Sequence, residues 1–156
     1  MLAFESIAKP LLFFHPVAAA CALASCIHLL LRLITAARRG SYTGQVKMHT
    51  RILFISYAVV FTLGGMLYPT YRIRIRKDFL ESAVPFVQPL FELKEHFASV
   101  GMMAALGTLV LASLVDFKKP DAKAYVPLWI GLLVVILAVL GYNTVTGWYI
   151  STLRSI

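Results

Sequence analysis

The stretch LLFFHPVAAACALASCIHLLLRLI, residues 11–34, decides the fold. It is 24 residues long and holds one charged side chain, Arg32. A helix of about 20 predominantly apolar residues crosses the roughly 30 Å of bilayer hydrocarbon, whereas a barrel strand is about half as long and alternates in polarity. This stretch neither alternates nor stops short, so it is expected to be a membrane-spanning helix. It nevertheless keeps two titratable rings, His15 and His28, with little that is bulky between them.

Three further windows have the same character, at residues 52–68, 97–115 and 126–149. The chain has 156 residues, 60% of them hydrophobic and only 14% charged, with a mean hydropathy of +0.80. That leaves too little polar surface for a water-soluble domain of this size. The expectation is an all-α, integral membrane four-helix bundle, with residues 1–156 forming a single four-span transmembrane domain. The string LASC at residues 23–26 resembles a lipoprotein cleavage box, but the apolar run continues through it as IHLLLRLI. An uncleaved first helix is therefore expected.

With four spans both termini lie on one face of the membrane, here named side A. Segments 35–51 and 116–125 then face side B, and the longer connection from Tyr68 to His96 faces side A. Pro69, Pro85 and Pro89 are expected to break that connection into pieces. Its middle, FLESAVPFVQPLF at residues 79–91, has the amphipathic, aromatic character of a segment lying at headgroup level between helices two and three. Side B carries eight basic and two acidic residues against seven and five on side A. Basic flanks favour the cytoplasm, which points to a bacterial cytoplasmic membrane with both termini periplasmic. The net charge of +8 reads as lipid-facing flanks, since no nucleic-acid motif accompanies it. Cys21 and Cys26 form no CxxC or CxxCH motif, so covalent haem attachment is not expected.

The four histidines fall into levels. His15 lies near the side A end of helix one, and His28 lies about 20 Å deeper at 1.5 Å per residue. His49 precedes helix two on side B, and His96 begins helix three on side A. Antiparallel spans bring His15 level with His96, and His28 level with His49. Two imidazoles per leaflet, from different helices, are what the axial positions of two b-type haems would need, or of one if a single pair serves. Small residues such as Ala18, Ala19 and Ala22 on helix one and Gly101, Ala104 and Ala105 on helix three leave room for a flat macrocycle. The same small residues also serve plain helix packing, and histidines at span ends also serve as interfacial groups. On an ideal helix His15 and His28 stand about 140° apart, so two such sites would face different ways.

Arg38, Arg39 and Arg51 on side B and Arg72, Arg74 and Arg76 on side A are candidate partners for haem propionates, or for lipid phosphates. YRIRIR, residues 71–76, reads as an extended segment with three guanidinium groups on one face. At the end of helix four, GYNTVTGWY offers Tyr142, Asn143, Thr146 and Trp148. Asn143, with Glu92, Lys94 and Glu95, could hydrogen-bond a quinone oxygen; an interfacial aromatic belt is the alternative.

The span count together with His15, His28, His49 and His96 resembles the small four-helix b-type membrane cytochromes, including the cytochrome b561-like group and the dihaem anchors of quinone-linked dehydrogenases. The resemblance implies haem b, electron relay across the bilayer to or from quinone, and redox partner subunits. Two other readings stand beside it. One is a membrane metal protein using His15, His96 and Glu92 or Glu95; the other is a non-catalytic assembly subunit.

Overall fold

The structure is a computed structural model and describes residues 7–39, 45–116 and 119–154. Four long helices dominate: α1 (Ala8–Arg39), α2 (Gln45–Tyr71), α3 (Gln88–Leu114) and α4 (Val126–Arg154). All four are long and apolar enough to cross a membrane. A helix satisfies its own backbone hydrogen bonds, which hydrocarbon cannot do for it. The protein is an all-α membrane bundle, and its outward residues include Phe13, Met103 and Leu114.

The helices form a ring in chain order. α1 packs against α2 and α4, and α3 packs against α2 and α4, so that α1 faces α3 across the diagonal. Short connections between antiparallel neighbours produce this arrangement.

One seven-residue stripe per helix runs through the core, beside further buried residues such as Leu33, Leu53, Ala105 and Leu133. On α1, Ala22, Leu29 and Ala36 are buried; on α2, Thr50 and Tyr57; on α3, Gly101, Thr108 and Val115 close to its end; on α4, Trp129, Ile136 and Ile150. A repeat of seven keeps one face of a helix turned to its neighbours with only slow drift. Thr50 and Thr108 stay neutral members of the core by donating their hydroxyls to Val46 and Ala105 carbonyls of their own helices. Small residues permit the closest contact. The Tyr57 phenol lies over Gly101 and donates to the Ala98 carbonyl at 3.2 Å. Of the alanines in the opening stretch, Ala22 is fully buried, while Ala20 and Ala24 face outward.

The connection between α2 and α3 is largely helical. Pro69 sits inside α2, and Pro89 lies in the first turn of α3, where a missing N–H is harmless. Only Pro85 marks a break: Val84 before it adopts φ −141°, ψ 61°, and Pro85–Val87 form a 3-10 turn. The extended conformation expected for YRIRIR is not what forms. Arg72–Leu80 continue α2 as a π-helix, closed by the Glu81 N–H donating to the Arg76 carbonyl. The backbone thereby stays satisfied at the membrane boundary, and the three arginines fan out instead of sharing a face. The five-residue period turns Ile75 and Leu80 inward, where they pack with Val87, Phe91 and Ile150, while Arg72, Arg74 and Lys77 stay exposed. The segment expected to be amphipathic, residues 79–91, runs from the end of this π-helix through the Pro85 turn into α3. Leu80, Val87 and Phe91 face inward, and Glu81, Ser82 and Phe86 are exposed.

Candidate functional site

Continued toward side A, the four core stripes meet a polar layer. Seven residues before Ala22 stands His15; seven after Tyr57 stands Gly64; seven before Gly101 stands Lys94; seven after Ile136 stands Asn143. The contacts follow that phase. A Cβ on Gly64 would lie 3.4 Å from His15 Cε1, so the imidazole rests on the bare face of α2. A Cβ on Gly147, one turn from Asn143 on the same face of α4, would lie 3.3 Å from Lys94 Nζ. His15 and Lys94 are close enough to interact electrostatically, and the His15 ring also meets the Val60 backbone.

Three atoms at this level are buried and have no hydrogen-bond partner: His15 Nδ1, Asn143 Oδ1 and Glu95 Oε1. An unpaired buried polar group is costly, more so in a membrane interior. Glu95 ties the layer to a charged rim, since Arg76, His96 and Glu92 act on it electrostatically along with Lys94. Arg76 bridges Glu92 at 2.7 Å and Glu81 at 3.3 Å, and Gln88 donates to Glu92 at 3.2 Å. Tyr142 donates to the Leu90 carbonyl and stacks edge-on against Phe97, which holds α4 to α3 beside Asn143.

His15 and His96 do not come together. His96 is exposed, and its Nδ1 lies 2.8 Å from the Glu92 carbonyl of its own helix. Two residues on a helix turn about 200°, so Lys94 facing inward sends His96 outward. Lys94 is the interior residue at this level that the histidine count passes over; the phase of Gly101 and Thr108 points to it.

On side B, His28 and His49 do meet across α1 and α2, with ring centroids 4.4 Å apart and planes at 58°. Arg32 Nε donates to His28 Nε2 at 2.7 Å, and a second Arg32 nitrogen reaches Gln45 Oε1. The rings touch each other directly, so a macrocycle between them would require these side chains to part. Among the described residues, no group of three or more His, Cys, Asp or Glu is placed to hold a metal ion.

Arg38 is exposed, the Arg39 side chain lies outside the described residues, and Arg51 borders a small groove with Lys47, Leu109 and Ala112. Arg72 is exposed on the π-helix. No protein-family model, curated protein or solved structure matches this chain.

Proposed function

We propose that this membrane protein binds a quinone or quinol headgroup in the layer formed by His15, Lys94, Glu95 and Asn143, as the exchange point of a membrane electron-transfer function. One observation supports it above the rest: three core stripes turn polar at the same level and leave His15 Nδ1 and Asn143 Oδ1 buried without partners. Oε1 of Glu95, next to Lys94 in the chain, is buried without a partner too. Ionisable groups at membrane depth are retained for function. The chemistry is complementary. Quinol hydroxyls donate to acceptors of this kind, and the Lys94 ammonium and the Asn143 amide N–H donate to quinone carbonyls. Glu95, in electrostatic contact with Lys94 and the charged rim, provides a route for protons to side A. Electrons pass to or from a redox partner subunit. The slightly more basic flanks of side B favour a bacterial cytoplasmic orientation for that side, which would leave both termini periplasmic.

The test is quinone retention by purified protein in nanodiscs, wild type against His15→Leu, Lys94→Leu and Asn143→Leu. Co-purifying quinone, lost in all three variants while each remains folded, is the expected result. Equal retention by the variants would remove the site.

A second reading, a haem b cytochrome, draws on the meeting of His28 and His49 from two helices. It predicts a sharp reduced-minus-oxidised band in the visible, abolished by His28→Ala or His49→Ala. A colourless protein from haem-replete cells ends that reading and leaves the quinone site standing.

A further inference from the structure

The π-helix creates a second feature that the polar layer does not use. A groove of about 300 Å³ opens at the side A end of the α1–α2 seam, walled by Leu12 of α1 and by Leu67, Thr70, Tyr71, Arg74 and Ile75. In an α-helix, residues three and four apart share a face; widening to an i→i+5 pattern brings residues four and five apart into line. Thr70, in the last turn of α2, and Arg74 and Ile75, at the start of the π-helix, border one groove. Its floor and walls are apolar, Arg74 is exposed at the rim, and Thr70 Oγ1 is buried without a hydrogen-bond partner. Arg74 is the basic residue of the lining, while Arg72 and Lys77 are exposed elsewhere on the same π-helix.

We infer that this groove is a binding site for an anionic phospholipid of the side A leaflet. The guanidinium of Arg74 is permanently charged and presents several donors, which suits a phosphodiester even while it keeps another partner. The Thr70 hydroxyl donates to a phosphate or ester oxygen and so loses its unpaired state. Leu12, Leu67 and Ile75 line the start of an acyl chain. A volume of about 300 Å³ is at the small end of ligand sites, enough for the phosphate ester and first methylenes, with the remaining chain lying in bulk lipid along α1 and α2. Charge selects the lipid: a basic rim at headgroup level favours a net negative head over a zwitterionic one.

The experiment uses the full chain in detergent, with native mass spectrometry after titration with phosphatidylglycerol, phosphatidylcholine, a short-chain quinone or inorganic phosphate. Phosphatidylglycerol is expected to be retained about tenfold better than phosphatidylcholine, as one charge-assisted contact allows. Arg74→Gln should erase that preference, Thr70→Val should weaken retention of both lipids, and Arg38→Gln on side B should change neither. Equal retention of the two lipids by the wild type, or an unchanged preference in Arg74→Gln, overturns the inference. Displacement by millimolar inorganic phosphate would make this a small-anion site, and displacement by quinone a quinone groove; either result also overturns it. Loss of the quinone retained by the polar layer bears only on that site, because Thr70 and Arg74 are not part of it.

Discussion

Lys94 and His96 stand two residues apart on α3 and face opposite ways. The Lys94 ammonium lies against Gly147 inside the bundle, and His96 is exposed beside the Glu92 carbonyl. A cation held inside a membrane bundle without an assigned ligand is a stability burden that an apolar side chain would relieve. Lys94→Leu should therefore keep or raise the melting temperature while quinone retention falls. His96→Ala should alter neither. Thermal unfolding in detergent read beside bound quinone checks both, and a His96→Ala effect as large as that of Lys94→Leu would contradict the inward placement of Lys94.

Gly64 gives His15 its seat. A methyl there would meet the imidazole at ordinary van der Waals distance, so Gly64→Ala should be tolerated. Gly64→Leu should push His15 off the face of α2 and lower quinone binding about tenfold or more, the effect of losing one hydrogen bond to a buried group. Paired binding and melting curves separate this from unfolding.

The Tyr57–Gly101 contact has no such slack. A Cβ on Gly101 would fall 2.7 Å from Tyr57 Cζ and 2.9 Å from a Val139 methyl, and Tyr57 is almost wholly buried. Gly101→Ala should destabilise the bundle by about 1–3 kcal/mol through overpacking. Tyr57→Phe, which leaves the packing and removes the bond to Ala98, should lose about 1 kcal/mol. Denaturation in mixed micelles provides the comparison; a milder effect for Gly101→Ala than for Tyr57→Phe would be inconsistent with the close approach.

Cys21 faces outward, and Cys26 is buried with its thiol toward the Leu133 carbonyl. A permeant maleimide should label one cysteine per folded chain and two after denaturation. Labelling of Cys26 in the folded protein would show that α1 and α4 pack differently from the bundle described here.

Arg76 joins the π-helix to α3 through Glu92 and bridges Glu81 at the π-helix's own end. The guanidinium is a quarter exposed and its partners are more so, which limits the pair energies to about 1 kcal/mol or less. Arg76→Gln should thus leave global unfolding almost unchanged but speed amide exchange across residues 72–87. Exchange that is unaffected there would mean the bridges do not hold the segment.

Much of the candidate site was legible before any contact was known. His15, in phase with Ala22 and Leu29, and Asn143, in phase with Trp129, Ile136 and Ile150, both stood out as polar residues in apolar spans. Lys94 was legible too, beside Asn143, Glu92 and Glu95, as a partner for a quinone oxygen. Its inward facing could also be read by carrying the Gly101–Thr108 spacing one heptad back, whereas counting histidines by depth drew attention to His96. Depth is set by residue number along the axis, whereas the facing of a side chain is set by rotation about it. The rings of His28 and His49, matched by depth in the sequence, lie with centroids 4.4 Å apart. That their rings touch, and that Arg32 caps one of them, depends on how closely α1 and α2 approach.

What the sequence alone determined is the membrane bundle: four runs of apolar residues long enough to cross a bilayer leave the backbone no alternative to helices that satisfy themselves. The tertiary structure decided the rest. It set the ring order that puts α1 diagonal to α3, turned Lys94 inward against Gly147, and wound YRIRIR into a π-helix instead of an extended strand. Those outcomes follow from helix rotation and from contact between residues far apart in the chain, and neither is encoded in the local hydropathy that specifies the spans.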